Sequence, residues 1–172
     1  MIEALSKALQ GAVPESVQEQ RAIIRAAHAH GVLYPLNAAW AEGQGLYPGT
    51  GSLLQELLRE QALNALSLSR ALTEILQAAE RESIDILPFK GPVLSQHLYG
   101  RPEWRPSCDL DLAIHPEASR RVFNLLTRLG YEPDTVSAPR TAREAEVIHF
   151  DWYMVHPETG LEVDVTPNVV NE

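Results

Sequence analysis

Cysteine occurs once, at Cys108, so the chain holds no second thiol for an internal disulfide. No uninterrupted apolar stretch reaches the roughly 20 residues a bilayer-crossing helix needs, so a helical membrane anchor is not expected. The chain does not open with the basic, apolar and small-residue succession of a secretory signal, and the expected compartment is the cytoplasm. Basic charge is scarce as well, with 14 Lys and Arg against 23 Asp and Glu, for a net charge of −9. Such a chain repels a phosphate backbone and gains little from counterion release, so general nucleic-acid binding is not expected. A single triphosphate asks for less: a few well-placed cations and backbone amides suffice.

What is present begins with 172 residues at 45% hydrophobic content, enough for one ordinary domain with a helical extension. Val17, Ile23, Ile24 and Ala27 predict a helix over 15–30 that Gly31 stops. Five glycine and proline positions between Asn37 and Gly51 predict a loop or hinge. Ser52 and Gln55 have capping-box spacing, and a stripe from Leu54 to Ala79 predicts a long helix from there to about Glu82. That stripe is read as core packing.

From Ile84 the texture changes. Ile84 to Phe89 reads as a short buried strand entering a turn at Lys90-Gly91-Pro92, and Val93 to Tyr99 as a brief helix. Cys108 to His115 alternates, with Leu110, Leu112 and Ile114 on one face and Asp109 and Asp111 on the other. Pro116 opens a helix that Gly130 ends. Strands over 147–155 and 161–166 follow, joined through a hairpin turn at 156–160. The fold expected is α+β: a helical N-terminal region over 1–83, then a mixed sheet with packed helices over 84–172.

Residues two apart on a strand point the same way, so Asp109 and Asp111 project side by side. Carboxylates facing one space repel unless a proton or cation intervenes, and hard cations such as Mg²⁺ take oxygen ligands. Acid–apolar alternation also describes any solvent-facing strand, so spacing leaves both readings open. Asp164, between Val163 and Val165, points away from an apolar face as well, with Glu162 competing for the same role. Three such carboxylates can hold two Mg²⁺ ions for an in-line displacement. Gly91 stands where a helix N-terminus meets phosphate, or in an ordinary strand-to-helix turn. Lys90 reads as a phosphate contact or a solvated strand end, and Arg101 and Arg105 as phosphate neutralisers or ion-pair partners. His28 and His30 do not share a helix face, and His149 and His156 with lone Cys108 make a poor zinc set. Cys108 is expected to be buried, and Trp40, Trp104 and Trp152 to anchor packing, with stacking on a base as the alternative for Trp104.

The run 87–94 (Leu-Pro-Phe-Lys-Gly-Pro-Val-Leu), Tyr99, Arg105, the run 109–114 (Asp-Leu-Asp-Leu-Ala-Ile) and Leu129-Gly130-Tyr131 resemble the uncharacterised nucleotidyltransferase family of the polymerase-β-like superfamily. His30-Gly31-Val32 and the leucine-rich helix resemble that family's lead-in. The resemblance covers most of the chain. It implies that Gly91 starts a helix under the nucleotide phosphates with Lys90 and Arg105 nearby, and that Asp109, Asp111 and Asp164 are the metal-binding, catalytic trio. It implies transfer of a nucleoside monophosphate from an NTP to an acceptor hydroxyl or similar group, and leaves open whether a small molecule, protein or RNA carries it. Mg²⁺, two ions with Mn²⁺ as a substitute, and release of pyrophosphate go with that reaction.

Two departures stand out. Pro92 replaces the Gly or Ser common there, removing an amide and a hydroxyl, and the chain ends soon after Asp164, where relatives generally continue with helices. The rival readings are a module of the same fold that binds nucleotide without turnover, and a metal-dependent phosphodiesterase using the same carboxylates.

Overall fold

The structure, a computed structural model, describes residues 1–40, 45–134, 138–147 and 150–167. Helices α1 (Ile2–Leu9), α2 (Val17–Ala29) and α3 (Leu33–Ala39) precede α4 (Pro48–Arg81). Strand β1 (Ile86–Pro88), helix α5 (Gly91–Tyr99) and strand β2 (Asp109–Ile114) follow. A 3₁₀ turn (Pro116–Ala118), α6 (Ser119–Arg128), β3 (Glu132–Pro133), α7 (Ala142–Val147), β4 (Trp152–Val155) and β5 (Glu162–Thr166) complete the described elements. The α+β class read from the sequence is what the chain adopts.

The predicted N-terminal helix is α2, capped by Ser16, whose hydroxyl accepts from the Glu19 amide at 3.2 Å. Gly31 follows it at φ +69°, and its missing side chain leaves room for Pro106 of a distant loop. The long helix starts earlier than the capping box implied. Pro48 to Gly51, expected as loop, are already α4, and the Ser52 hydroxyl bonds back to the Pro48 carbonyl at 3.0 Å instead of capping. The start is fixed from outside the helix. Buried Gln20 of α2 accepts from the Tyr47 amide at 3.2 Å and the Thr50 hydroxyl at 2.7 Å, while Pro48 supplies a helical φ. Of the expected loop, residues 41–44 lie outside the described residues.

The sheet has the order β1-β2-β5-β4-β3, with β2 and β5 parallel and the remaining neighbours antiparallel. Leu110, Leu112, Val163, Val165, Trp152 and Met154 form its inner face, buried with the second half of α4 and with α6. A separate cluster joins α1, α2 and α3 to the first turns of α4 through Ile24, Leu36, Trp40 and Leu54. The 34-residue α4 therefore contributes to both cores. Val147, expected to open a strand, instead ends α7, and the strand begins only at Trp152. The hairpin turn is as predicted: the His156 amide donates to the Leu161 carbonyl at 2.9 Å, and Gly160 takes φ +69°. Among the described residues, no helix is long and apolar enough to cross a membrane.

Candidate active site

Alternation along β2 sends Leu110, Leu112 and Ile114 into the core and leaves Asp109 and Asp111 on the opposite face. Parallel pairing then decides their neighbours. Asp111 is the Cα partner of Asp164, and Asp109 that of Glu162, so both acids of β5 share the face with those of β2. Adjacent strands lie about 4.8 Å apart, which sets Asp111 and Asp164 side by side. Glu162 stands exposed beside Asp109, whereas Asp164 is half-buried beside Asp111. On the other side of Asp164, β4 places Tyr153 as its partner.

Lys90 reaches over this row. Its Nζ donates to Asp111 Oδ1 at 2.9 Å, with the Phe89 ring 4.9 Å away. The hydrogen bond and charge of Asp111, with smaller contributions from Asp164 and Asp109, raise the Lys90 pKa. Asp164 is pushed up to about 6, first by burial, then by the charges of Asp151 and Asp111, against a lowering from Lys90. Tyr153 is raised mainly by the charge of Asp164.

Gly91 is the first residue of α5 and is buried at φ +61°, a conformation only glycine takes readily. A side chain there would lie 3.4 Å from the Asp109 carbonyl, so the start of α5 abuts the start of β2. Pro92 follows in the first turn, where its lack of an amide breaks no helical bond.

The loop between α5 and β2 is held from several directions. Gln61 and Asn64 of α4 donate to the carbonyls of Glu103 and Ser107, each at 2.7 Å. The Ser95 hydroxyl donates to the Arg101 carbonyl and accepts from the Arg105 amide. Trp104 stacks between Tyr34 and Tyr99, at 6.4 and 5.9 Å, and serves as the packing anchor its sequence reading favoured. Arg101 pairs with Glu103, and the exposed Arg105 makes no ion pair with another described residue. Cys108, expected to be buried, is exposed, because it lies one residue before β2 begins and so outside the strand whose alternation buries Leu110.

A family model described as uncharacterised nucleotidyltransferase matches residues 16–172. The chain belongs to that family. No curated protein and no solved structure matches it.

Membership in a nucleotidyltransferase family raises the question of whether the acidic face suits a divalent cation. Among the described residues, no three His, Cys, Asp or Glu side chains converge closely enough to hold an ion as they stand, and Asp111 gives an oxygen to Lys90. The donor chemistry fits all the same. The set is all oxygen, three carboxylates share one face, and Asp164 Oδ1 is buried without a hydrogen-bond partner in the described structure. A cavity of about 250 Å³ opens at the β1–β2 edge between Leu87, Ile114 and His115, and none of these carboxylates lines it.

Sequence reasoning passed over two neighbours of Asp164: Asp151, the charge that raises its pKa most, and Tyr153, its partner on β4. A signal for both was present. With the hairpin register set by the turn at 156–160, Tyr153 falls opposite Asp164 and period-two alternation carries Asp151 to the same side. His149 lies outside the described residues.

Proposed function

We propose that the chain transfers a nucleoside monophosphate from an NTP to an acceptor hydroxyl or similar group on a small molecule, protein or RNA, with Mg²⁺ and release of pyrophosphate. The observation that carries the reading is the pairing of Asp111 with Asp164 across β2 and β5, beside Asp109 and next to the α5 start. Asp109, Asp111 and Asp164 would hold the metal. Magnesium, when bound, neutralises charge on the phosphates and helps ionise the attacking hydroxyl. Mn²⁺ has the same taste for oxygen and would substitute.

The chain's own groups would divide the rest. The acceptor oxygen forms a bond to the α-phosphorus, the bond to the bridging oxygen breaks, and the electron pair leaves with pyrophosphate. Asp164 would take the acceptor's proton from its place beside Asp111. Lys90 and Arg105 neutralise phosphate oxygens, and the α5 N-terminus beginning at Gly91 adds the positive end of its dipole. A net charge of −9 favours a compact nucleotide over a polynucleotide. The carboxylate face also fits a protein working where Mg²⁺–NTP is plentiful, as the cytoplasm provides.

Incubation with each NTP, Mg²⁺ and a panel of acceptors tests the reading through pyrophosphate. Release above a protein-free control that disappears in Asp111→Ala supports it; calorimetry in which no nucleotide binds with Mg²⁺ removes it.

One observation favours a second reading. An ammonium already bonded to Asp111, with Pro92 lacking an amide in the first turn of α5, also fits a member that binds nucleotide without turning it over. Nucleotide binding with no pyrophosphate from any acceptor is its signature.

A further inference from the structure

Lys90 and Asp111 are unequally placed. The Lys90 side chain is 51% exposed, while that of Asp111 is 8% exposed. If the pair opens, the ammonium passes into water at little cost, because half-exposed ion pairs contribute little to stability. Asp111 has no such escape. It would remain buried beside Asp164 and near Asp109, where like charges disfavour one another and a carboxylate without a partner is costly. The pair can therefore open readily only when another cation takes its place.

The identity of the cation-bearing residue points the same way. The chain uses twelve arginines and only two lysines, and the other lysine, Lys7, forms a surface pair with Glu3 within α1. A guanidinium would fork across the carboxylates and hold them bidentately, whereas an ammonium is a compact point charge on a flexible stem. Lys90 is also the residue immediately before α5, so a released side chain stays tethered at a helix N-terminus, where anionic groups are favoured.

We infer that Lys90 is a built-in, exchangeable counter-ion: it holds the acidic face together before substrate arrives, gives up Asp111 to the incoming metal ion, and turns to the nucleotide phosphates. This rests on the metal and nucleotide reading above. The exchange sets an order on binding. Metal alone competes with Lys90 and binds weakly, whereas metal with nucleotide offers the displaced ammonium a new partner and binds well.

The experiment is calorimetry with Mn²⁺ alone and then Mn²⁺–ATP, on the wild-type chain, Lys90→Gln and Lys90→Arg. The expected result is a reversal: Lys90→Gln binds free Mn²⁺ about tenfold more tightly than wild type, yet binds Mn²⁺–ATP about tenfold more weakly. Lys90→Arg, with its forked grip, should bind free Mn²⁺ no better than wild type. Equal or weaker Mn²⁺ binding by Lys90→Gln overturns the exchange while leaving the metal site standing. Absence of Mn²⁺ binding in every protein overturns both.

A measurement on the unsubstituted residue guards against a misfolded variant. Reductive ¹³C-methylation keeps the lysine charge, and two lysines give an uncrowded spectrum in which Lys7 is the internal control. Saturating Mg²⁺ should move the Lys90 resonance and leave that of Lys7 in place. Both resonances unmoved under saturation, with Mg²⁺ binding measured independently, overturns the exchange.

Discussion

Asp111 and Asp164 are partners in the parallel ladder of β2 and β5, pointing to the same side of the sheet, with Asp111 buried and bonded to Lys90. Neutralising Asp111 removes one of two adjacent charges and changes few packing contacts. Asp111→Asn should therefore melt close to wild type in EDTA. Its pyrophosphate release should fall about a hundredfold or more, equivalent to ~2.7 kcal/mol of transition-state stabilisation. A variant that unfolds, or one that keeps full turnover, contradicts this division between fold and chemistry.

Asp164 makes metal-free stability depend on pH in an unusual direction. Its carboxyl is pushed from the ordinary 3.8 to about 6, so between those values the folded chain holds a proton that the unfolded chain has released. The contribution is fully present below about pH 4, fades as pH rises through 6 and is absent above it. Asp164→Asn should remove that slope. It should also raise stability at pH 8 by an amount on the order of 1 kcal/mol, the full shift being discounted for solvent screening. Urea denaturation in EDTA from pH 4 to 8 measures both, and a steeper slope in the variant would refute the assignment.

How far the sequence reached is clear from particular residues. That Asp109, Asp111 and Asp164 face away from the core is legible because a strand's period of two is a local property, visible wherever a polar residue interrupts an apolar run. Asp111 as partner of Asp164 needed the register of a parallel pair, which no local pattern contains. The start of α4 was misplaced because Gln20, 28 residues before Pro48, supplies through tertiary contact what Ser52 was expected to supply locally. Val147 went to a helix because the apolar positions between Ala142 and Trp152 are too few to separate a period of 3.6 from one of 2.

Gly91 offers a test of backbone geometry alone. At φ +61° an alanine is strained by roughly 1–2 kcal/mol, although its methyl group would meet the Asp109 carbonyl only at ordinary contact distance. Gly91→Ala should lower stability by about that amount in urea, and nucleotide affinity with it as α5 shifts against β2. Unchanged stability would mean that the turn relaxes without consequence.

Trp104 should show that the loop leading into Asp109 is positioned from α3 and α5. Trp104→Ala removes stacking on both Tyr34 and Tyr99 and should lower stability by about 2 kcal/mol. Asn64→Ala frees only the Ser107 carbonyl and should lower it by about 1 kcal/mol. Both should weaken Mn²⁺ binding, since the loop delivers Asp109 to the face. Weaker Mn²⁺ binding in neither variant would confine the loop's role to packing.

Asp151 provides the last test, because it separates a carboxylate that belongs to the site from one that is only near it. Asp151 precedes β4 by one residue and is the largest charge contribution to the raised Asp164 pKa, whereas Glu162 shares a strand and a face with Asp164 yet is not among the causes. Asp151 thus acts on Asp164 from across the hairpin, and Glu162 does not act on it from along the same strand. Asp151→Asn should therefore move the Asp164 carboxyl back towards 3.8 in a ¹³C-detected titration of the metal-free chain, and Glu162→Gln should leave it nearly in place. If Glu162→Gln produces the larger movement, Asp151 is not a member of the acidic face, and the β4–β5 hairpin contributes only Tyr153 and Asp164 to it.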